Sequence, residues 1–362
     1  MKGEEYNHWL CSIPGIGIRK LLLLEAEFGA PEQIYHAGET KLVKIKGISA
    51  RDAHNIVTSR QTFCPDQWKE KLDRLDMKCT TWFSPEYPAL CRHLYDPPKR
   101  LFCRGELPGE QLCMAVVGAR DCSIYGRENA RRFASTLAAA GVGIISGMAR
   151  GIDGWAHQGA LEGGGRTYAV LGNSAEICYP VEHAGLYRSI VKRGGILSEY
   201  PPGTKAAPGF FPMRNRIISA LSEGVLVVEA RKRSGSLITA EQALDQGKDV
   251  FVIPGRIGDT LSEGCNNLIR DGAILVTTPE DILNYYGWAH ESQTENFKKN
   301  KLILERREKM VYANLSLEPK HLTVLAEEVQ MDSAEVMGCI LSLLKGRLIK
   351  EIGNHYYIRN VI

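Results

Sequence analysis

The chain has 362 residues, and 45 Lys and Arg against 42 Asp and Glu give a formal net charge of only +3. Hydrophobic residues make up 44% and charged residues 24%, as is typical of a soluble globular protein with two or three domains. The sequence has no apolar run of about 18 residues, which excludes a predicted membrane span. Its first residues lack the basic-then-apolar layout of a secretory signal, so we expect a cytoplasmic protein.

The ten cysteines do not form a metal-binding pattern. The sequence contains no CxxC, and the spacing of Cys103, Cys113 and Cys122 matches no zinc cluster. We therefore predict free thiols, no metal site and no cofactor.

Residues 1–62 are predicted to form short helices. Two segments, 13–24 and 42–57, each contain an apolar residue, a glycine turn and a basic helix, and they resemble SAM-like helix-hairpin-helix motifs. In such motifs the free backbone N–H groups of a helix N-terminus bind a phosphate. Two interpretations remain open, which are non-specific DNA contact and a module that serves packing or a partner.

A connecting region follows over 63–113. Prolines at 88, 97 and 98 argue against one long helix there. The apolar segment 101–106 predicts an edge strand that leads into the next domain.

From residue 114 apolar runs alternate with helix-like stretches. This alternation predicts βαβ units and an α/β fold with a mostly parallel, Rossmann-like sheet in a domain over 63–287. The predicted strands are 115–119, 143–147, 168–172, 195–200, 224–230, 249–255 and 273–277.

Small residues and arginines follow these strands, at the sheet edge where open α/β folds bind ligands. Gly118 and Gly147 allow tight turns with exposed backbone donors. Arg120 and Arg150 each come just after a strand, where a guanidinium group can bind a phosphate in a forked manner. Residues 201–240 hold six Lys and Arg against two acids. We therefore predict an arginine-lined site for a polyanion.

Arg214, Asn215 and Arg216 lie at a predicted helix start. Residues two apart do not share a helix face, so one arginine is expected to reach the ligand while the other pairs internally, for example with Glu229. The sequence does not decide which one does so.

Other polar residues near this edge allow two interpretations each. Ser234, Ser236 and Thr239 offer hydroxyl groups to an anion at a helix N-terminus, or Thr239 simply caps that helix. Asp153 caps its helix or contacts ligand, but we favour a contact with Arg150 or a loop N–H. For His157 we favour a structural hydrogen bond.

Several catalytic patterns are missing from the sequence. It contains no GxxxxGK[ST], no GxGxxG after a strand and no recognisable nucleophilic trio. The site therefore favours phosphate binding, and we predict no enzyme and no catalytic residues.

The polar stretch 288–300 is predicted to be a linker, and 301–362 a winged helix-turn-helix. Asp332 or Ser333 is expected to cap its second helix, and two strands follow around 353–354. This module binds DNA or, alternatively, serves a partner or dimerisation. Its second helix is poor in side chains that read bases.

The motifs of residues 114–276, in this order, resemble the bacterial DNA-processing protein A family, DprA or Smf. The resemblance implies a Rossmann-like domain that binds single-stranded DNA and dimerises. It also implies protection of incoming DNA and loading of the RecA recombinase during natural transformation. The matching segments are VVGAR, SGMARGIDGWAH, VLGNSAEICYP, ILSEYPPGT, FPMRNRIIS, VVEA, SGSLITAEQAL, VFVIPG and EGCNNLIRDGAIL.

The resemblance also implies site residues. Those implied to form or support the DNA groove are Arg120, Arg150, Gly151, Phe211, Arg214, Asn215 and Arg216. Apart from the resemblance, we predict as possible supporting positions Gly118, Gly147, Asp153, Ser234, Ser236, Thr239 and Asn266. The chain departs from the usual family pattern at Cys265, where threonine is usual, and at Ala220, where glycine is usual.

General physics agrees with a single-strand site. Arginines along a strand gain affinity by counterion release without reading sequence. Tyr200, Phe210 or Phe211 could stack on a free base.

Three other functions compete with this one. A nucleotide-processing hydrolase on a related fold would need a particular glycine-rich loop. Residues 234–244 match that loop only weakly. A winged-helix regulator would act on duplex DNA. A pure interaction scaffold would show no salt-dependent DNA binding.

Overall fold

The computed structural model describes residues 1–288, 305–346 and 348–360, which form three units. Apart from Trp288, the predicted linker over 288–300 lies outside the described residues.

The N-terminal unit is helical, as predicted, and buries Trp9, Leu10 and Leu24 in its core. Its two glycine turns differ in how the next helix begins. Ser49 and Asp52 form a capping box that satisfies N–H groups at the second turn, whereas the first turn has no side-chain cap. The helices are α1 (Glu4–Ser12), α2 (Ile18–Phe28), α3 (Pro31–His36), α4 (Glu39–Leu42) and α5 (Ala50–Thr62).

The first glycine turn is fixed to the second unit by one lysine. The Lys99 ammonium group donates hydrogen bonds to the Ile13 and Ile16 carbonyl oxygens at 3.0 and 2.8 Å. Burial lowers the pKa of Lys99 to about 8. This contact favours a packing role for at least part of the N-terminal unit.

The second unit is built on a nine-stranded sheet in the order β1-β2-β6-β5-β4-β3-β7-β8-β9. Strands β3 to β9 run parallel, and β1 and β2 are added antiparallel. The prediction of an edge strand over 101–106 is wrong, because β2 pairs with both β1 and β6. The strands are β1 (Lys78–Thr81), β2 (Arg100–Gly105), β3 (Cys113–Val117), β4 (Gly143–Ser146), β5 (Thr167–Val170), β6 (Gly195–Ser198), β7 (Gly224–Val227), β8 (Asp249–Val252) and β9 (Ile274–Leu275).

Helices cover both faces of this sheet, which is why its central strands are apolar throughout. In β3, Ala115 packs in the core cluster that includes Ile217 of α10, while Val116 packs in the cluster that includes Phe133 of α7. The helices are α6 (Pro65–Arg74), α7 (Ile124–Ala139), α8 (Ile152–Glu162), α9 (Ala184–Arg193), α10 (Phe210–Ala220), α11 (Gly235–Asp245), α12 (Glu263–Arg270) and α13 (Pro279–Tyr286).

The strand order reverses at β3. From β3 the chain builds outward through β4, β5 and β6, then returns so that β7 pairs with the other side of β3. The loops after β3 and β7 therefore leave the sheet in opposite directions and open a crevice at the carboxyl edge. The predicted α/β Rossmann-like fold is confirmed.

The C-terminal unit has the element order of a winged helix-turn-helix. Its three strands pair in the order β10-β12-β11, and Asp332 caps the second helix of the motif by accepting the Ala334 N–H at 3.1 Å. Its elements are α14 (Arg306–Ala313), β10 (Lys320–His321), α15 (Leu322–Val329), α16 (Ser333–Lys345), β11 (Ile349–Gly353) and β12 (Tyr356–Arg359).

Candidate nucleic-acid interface

A cavity of about 650 Å³ lies at the carboxyl ends of β3 and β7. The loops after β3, β4 and β7, the first turns of α10 and the start of α11 contribute to its lining. Its lining includes nine of the residues predicted from the sequence, namely Gly118, Arg120, Asp153, Phe211, Arg214, Asn215, Ser234, Ser236 and Thr239.

The rim of this cavity is positively charged. Arg120, Arg231 and Arg233 line it and are exposed to solvent. One exposed lining residue, Asp121, is acidic. Its side chain is 97% exposed, and its carboxylate lies 3.9 Å from the Arg231 guanidinium group. A pair this exposed is weak, so the rim keeps an excess of positive charge.

The loop that carries Arg120 is held by a buried carboxylate. Glu229, two residues beyond the end of β7, accepts the Ser123 N–H at 2.9 Å and the Ser123 hydroxyl group, and its backbone carbonyl accepts the Ala119 N–H at 2.8 Å. Burial raises the pKa of Glu229. The predicted arginine–Glu229 pair is therefore wrong, because Glu229 positions the Arg120 loop instead.

Gly151 is required where the loops after β3 and β4 meet. Its φ is +71°, and a Cβ atom there would lie 2.3 Å from the Ala119 carbonyl oxygen. Any other residue would be strained and would push the two loops apart. Gly151 thus shapes the cavity wall through its backbone.

Arg214 forms part of the cavity floor and is only 4% exposed. Its guanidinium group donates to the Gly147 carbonyl oxygen at 3.0 Å and to the Val170 carbonyl oxygen, which closes the ends of β4 and β5. Burial lowers the pKa of Arg214 to about 10, and the neighbouring Asp153 opposes this shift. Arg214 therefore remains charged at neutral pH but is already engaged by the protein.

Asp153 holds the backbone of the loop after β4, which also contributes to this cavity. Its carboxylate accepts the Gly147 N–H at 3.1 Å and the Ala149 N–H at 3.4 Å, so the favoured role as a loop anchor is confirmed. Burial raises its pKa, and the charge of Arg214 works against that rise. The N-cap of α8 is Gly151 rather than Asp153.

Arg216 does not line the cavity. Its guanidinium group lies 2.7 Å from the Glu199 carboxylate and 4.0 Å from that of Asp96, and its side chain is 11% exposed. The implied contribution of Arg216 to the groove stays a prediction, and in the structure its guanidinium group is paired with the Glu199 carboxylate. The two arginines have different partners, since the Arg214 guanidinium group is bonded to two backbone carbonyl oxygens and that of Arg216 to the Glu199 carboxylate.

Aromatic rings lie at the cavity mouth. Phe211 is half-buried, and its ring centre lies 5.3 Å from the Arg120 guanidinium carbon and 5.8 Å from the Tyr179 ring centre. Phe210 is stacked on Tyr200 at 4.3 Å instead. Of the three predicted stacking candidates, Phe211 alone lines the cavity.

A second cavity of about 60 Å³ adjoins the first and shares Arg120, Phe211 and Arg214 with it. Gly147 and Arg150 also line this smaller cavity. The Arg150 guanidinium group is paired with the Glu182 carboxylate, but both side chains are largely exposed, so the pair is weak and open to exchange.

The remaining predicted residues have mixed outcomes. Ser234 caps α11 by accepting the Ser236 N–H, so Thr239 is not the cap. Asn266 lies away from the cavity, where its side chain holds the Gly255 backbone at 3.1 and 3.2 Å. His157 is fully buried and bonds the Thr167 hydroxyl group at 2.6 Å, which confirms its structural role.

The lining residues that were not predicted from the sequence include Tyr179, Arg231 and Arg233, whose side chains suit a nucleic acid. Arg231 and Arg233 contribute to the excess of basic residues over 201–240, and this excess is the feature of the sequence that indicates them. Nothing in the local pattern around Tyr179 indicates that its ring meets Phe211.

Among the described residues, no group of three or more His, Cys, Asp or Glu side chains could hold a metal ion. Within the same residues, no helix is long and apolar enough to cross a membrane.

Comparison with known proteins identifies the family. Residues 78–287 match the model of DNA recombination-mediator protein A, and residues 10–62 match a SAM-like helix-hairpin-helix tandem. The chain belongs to the DNA recombination-mediator protein A family. The family predicted from the sequence motifs is thereby confirmed.

Relatives of this family share both sequence and fold with the chain. It is 43% identical over 283 residues to Protein Smf of Escherichia coli K12, covering 75% of each chain. It is 46% identical over 198 residues to the DNA processing protein DprA of Streptococcus pneumoniae R6, covering 54% of this chain and 70% of that protein.

Two solved structures are similar as well. DNA processing protein A from Streptococcus pneumoniae gives a TM-score of 0.69 at 34% identity, covering 78% of this chain and 98% of that one. The protein from Helicobacter pylori, described for its single-stranded DNA binding mode, gives 0.52 at 31% identity, covering 58% and 95%.

Proposed function

We propose that this protein binds single-stranded DNA in the arginine-rimmed cavity and acts as a recombination mediator rather than an enzyme. The observation that carries this proposal is the set of three exposed guanidinium groups, on Arg120, Arg231 and Arg233, around one cavity. The family description, and the single-strand binding reported for the Helicobacter pylori relative, support the same conclusion.

The physics of the cavity suits an unpaired strand. Each phosphate that meets a rim arginine releases counterions, which gives affinity without sequence preference. The Phe211 ring offers a stacking surface, and stacking requires a base that is free of its duplex neighbours. A duplex can use the charge of the rim but not the ring, so single strands bind more tightly.

Catalysis is not favoured by Asp153 in the cavity lining or by the buried groups Glu229 and His157, which do not line the cavity. Asp153 is tied to two loop N–H groups, and Glu229 to Ser123. Burial lowers the pKa of His157 to about 3, so this imidazole does not exchange protons near neutral pH. We infer that these groups hold loops in place.

The partners we propose are a second copy of the chain and the RecA recombinase. The far edge of the sheet supports dimerisation through the Rossmann-like unit, because β9 is an edge strand whose Leu275 is 49% exposed. A mediator that protects incoming strands in natural transformation must then pass them to a recombinase, which is the role we assign towards RecA.

The proposal is tested by measuring the affinity of the protein for a short oligothymidylate and for a matched duplex. We expect the single strand to bind more tightly and Arg120→Ala to weaken it by about tenfold. Arg74→Ala is the matched control, because Arg74 is 71% exposed on α6, outside the cavity lining. Equal binding of single strand and duplex, or equal effects of the two substitutions, would contradict the proposal.

A further inference from the structure

Two ion pairs join the C-terminal unit to the second unit, among the residues that the structure describes. The Lys350 ammonium group of β11 lies 2.8 Å from the Glu128 carboxylate of α7. The Arg256 guanidinium group, in the loop after β8, is paired with the carboxylate of Glu318, which precedes β10. The C-terminal unit is therefore docked through two separate elements on each side.

The two pairs differ in their exposure to solvent. The side chains of Glu128 and Lys350 are 5% and 34% exposed, whereas those of Arg256 and Glu318 are 72% and 57% exposed. An ion pair between well-exposed side chains contributes little to stability and is screened by salt. The Arg256–Glu318 pair is therefore the contact that a competing anion displaces more easily.

Arg256 lies beside the basic rim of the large cavity. It lines a separate cavity of about 330 Å³ together with Lys232 and one acid, Glu263. In the chain, Lys232 stands between the two rim residues Arg231 and Arg233. Basic side chains thus extend from the rim to Arg256.

The backbone on both sides of this pair is held in place. The Asn266 side chain is bonded to the backbone of Gly255, directly before Arg256, at 3.1 and 3.2 Å. The Glu318 N–H donates to the Ser316 hydroxyl group at 3.1 Å. An exchange of partners therefore needs movement of the charged side chains and not of the loop beside Arg256.

A carboxylate and a DNA phosphate suit the same partner. Each offers two oxygen atoms to the fork of a guanidinium group. A strand that binds at the rim and continues past Lys232 brings its next phosphates to the place where Arg256 is paired with Glu318.

We propose that Glu318 competes with a DNA phosphate for Arg256, so that a single strand which extends from the rim to Arg256 releases this contact of the C-terminal unit. This inference rests on the proposed function. The Lys350–Glu128 pair keeps the unit attached while Glu318 is displaced. Docking of Glu318 therefore weakens strand binding, and strand binding weakens that docking to the same degree.

The test measures the affinity of the wild-type protein and of two variants for oligothymidylate at low salt. Glu318→Gln removes the competing carboxylate, and we expect it to raise the affinity about threefold. Glu327→Gln is the matched control, because Glu327 is an exposed acid on α15 of the same unit and forms no ion pair with the residues that the structure describes. Equal effects of the two substitutions, or no gain in Glu318→Gln, overturn the proposal.

Arg256→Gln provides the second arm, since it removes the cation for which Glu318 and the phosphate compete. This variant should lower the magnitude of the salt slope by about 0.7, the contribution of one single-strand phosphate contact. Adding Glu318→Gln to it should give no further gain in affinity. An unchanged slope in Arg256→Gln, or a gain that persists in the double variant, overturns the proposal. Failure of the proposed function has a different signature, because Arg120→Ala would then leave binding unchanged.

Discussion

The rim and the floor of one cavity use the same residue type for opposite purposes. Arg120, Arg231 and Arg233 on the rim are exposed and at most weakly paired, whereas Arg214 on the floor is 4% exposed and bonded to two carbonyl oxygens. A solvated guanidinium group can exchange its water for a phosphate, but a buried one cannot leave its partners without cost. The difference teaches that surroundings, not the arginine itself, separate a ligand contact from a structural support.

The largest expected effect comes from the floor. Arg214→Ala leaves the Gly147 and Val170 carbonyl oxygens without their donor and removes the positive charge near the buried Asp153 carboxylate. We expect a loss of about 3–5 kcal/mol in unfolding free energy, measured by urea denaturation. Adding Asp153→Asn should restore part of this loss, because the uncompensated carboxylate is then gone. A single variant that loses less than about 1 kcal/mol would break the distinction between floor and rim.

The next effect concerns the backbone that joins the two loops. Gly151→Ala should destabilise the protein by about 2–3 kcal/mol and impair oligothymidylate binding, because its Cβ would collide with the Ala119 carbonyl oxygen. Gly164→Ala is the matched control, since its φ is +74° but no atom lies within 4 Å of the added Cβ. The control should lose only about 1 kcal/mol and retain binding, while equal losses would show that φ strain alone matters.

Phe211 tests whether an uncharged side chain of the cavity contributes to binding independently of the rim arginines. Phe211→Leu should weaken single-strand binding by about 1–3 kcal/mol with an unchanged salt dependence, because stacking carries no charge. Titrations at several salt concentrations measure both quantities. Phe210→Leu is the control, since that ring is stacked on Tyr200 and is not part of the cavity lining. A changed salt slope in Phe211→Leu would mean that the ring acts by positioning Arg120.

The smallest effect is the pH dependence of the buried support. Burial lowers the pKa of His157 to about 3, so the unfolded chain takes up a proton below about pH 6.5 while the folded protein does not. The contribution of His157 to the stability of the folded protein is therefore fully present above pH 6.5 and is lost progressively as the pH falls towards 3. At pH 5.5 the loss from this group should be about 1.4 kcal/mol relative to pH 8. His157→Gln should remove that part of the pH dependence, and an unchanged profile would contradict this assignment.

The sequence predicts the sheet and the basic edge because both follow from simple rules. Apolar runs such as 224–230 must be buried, and residues that follow parallel strands must share one edge. These rules could not predict that Arg214 and Arg216 have different partners. Those partners are distant in sequence, the Val170 carbonyl oxygen for one and Glu199 for the other.

The antiparallel extension of the sheet was missed for a similar reason. Strand β1 is only four residues long, and its cross-strand neighbours lie in β2, about twenty residues later in the chain. The pairing of β2 with β6 joins residues that are farther apart still. Local pattern cannot supply such pairings, so a strand with two partners was predicted to have one.

The most direct test of the central claim is the slope of log affinity for oligothymidylate against log salt concentration. Replacing Arg120, Arg231 and Arg233 together by Gln should lower the magnitude of this slope by about 2, since each single-strand phosphate contact contributes about 0.7. The control replaces Arg74, Arg193 and Arg270, which are exposed and do not line the cavity, and it should keep the wild-type slope. If the rim variant keeps the wild-type slope, the strand does not lie against this rim and the account is contradicted.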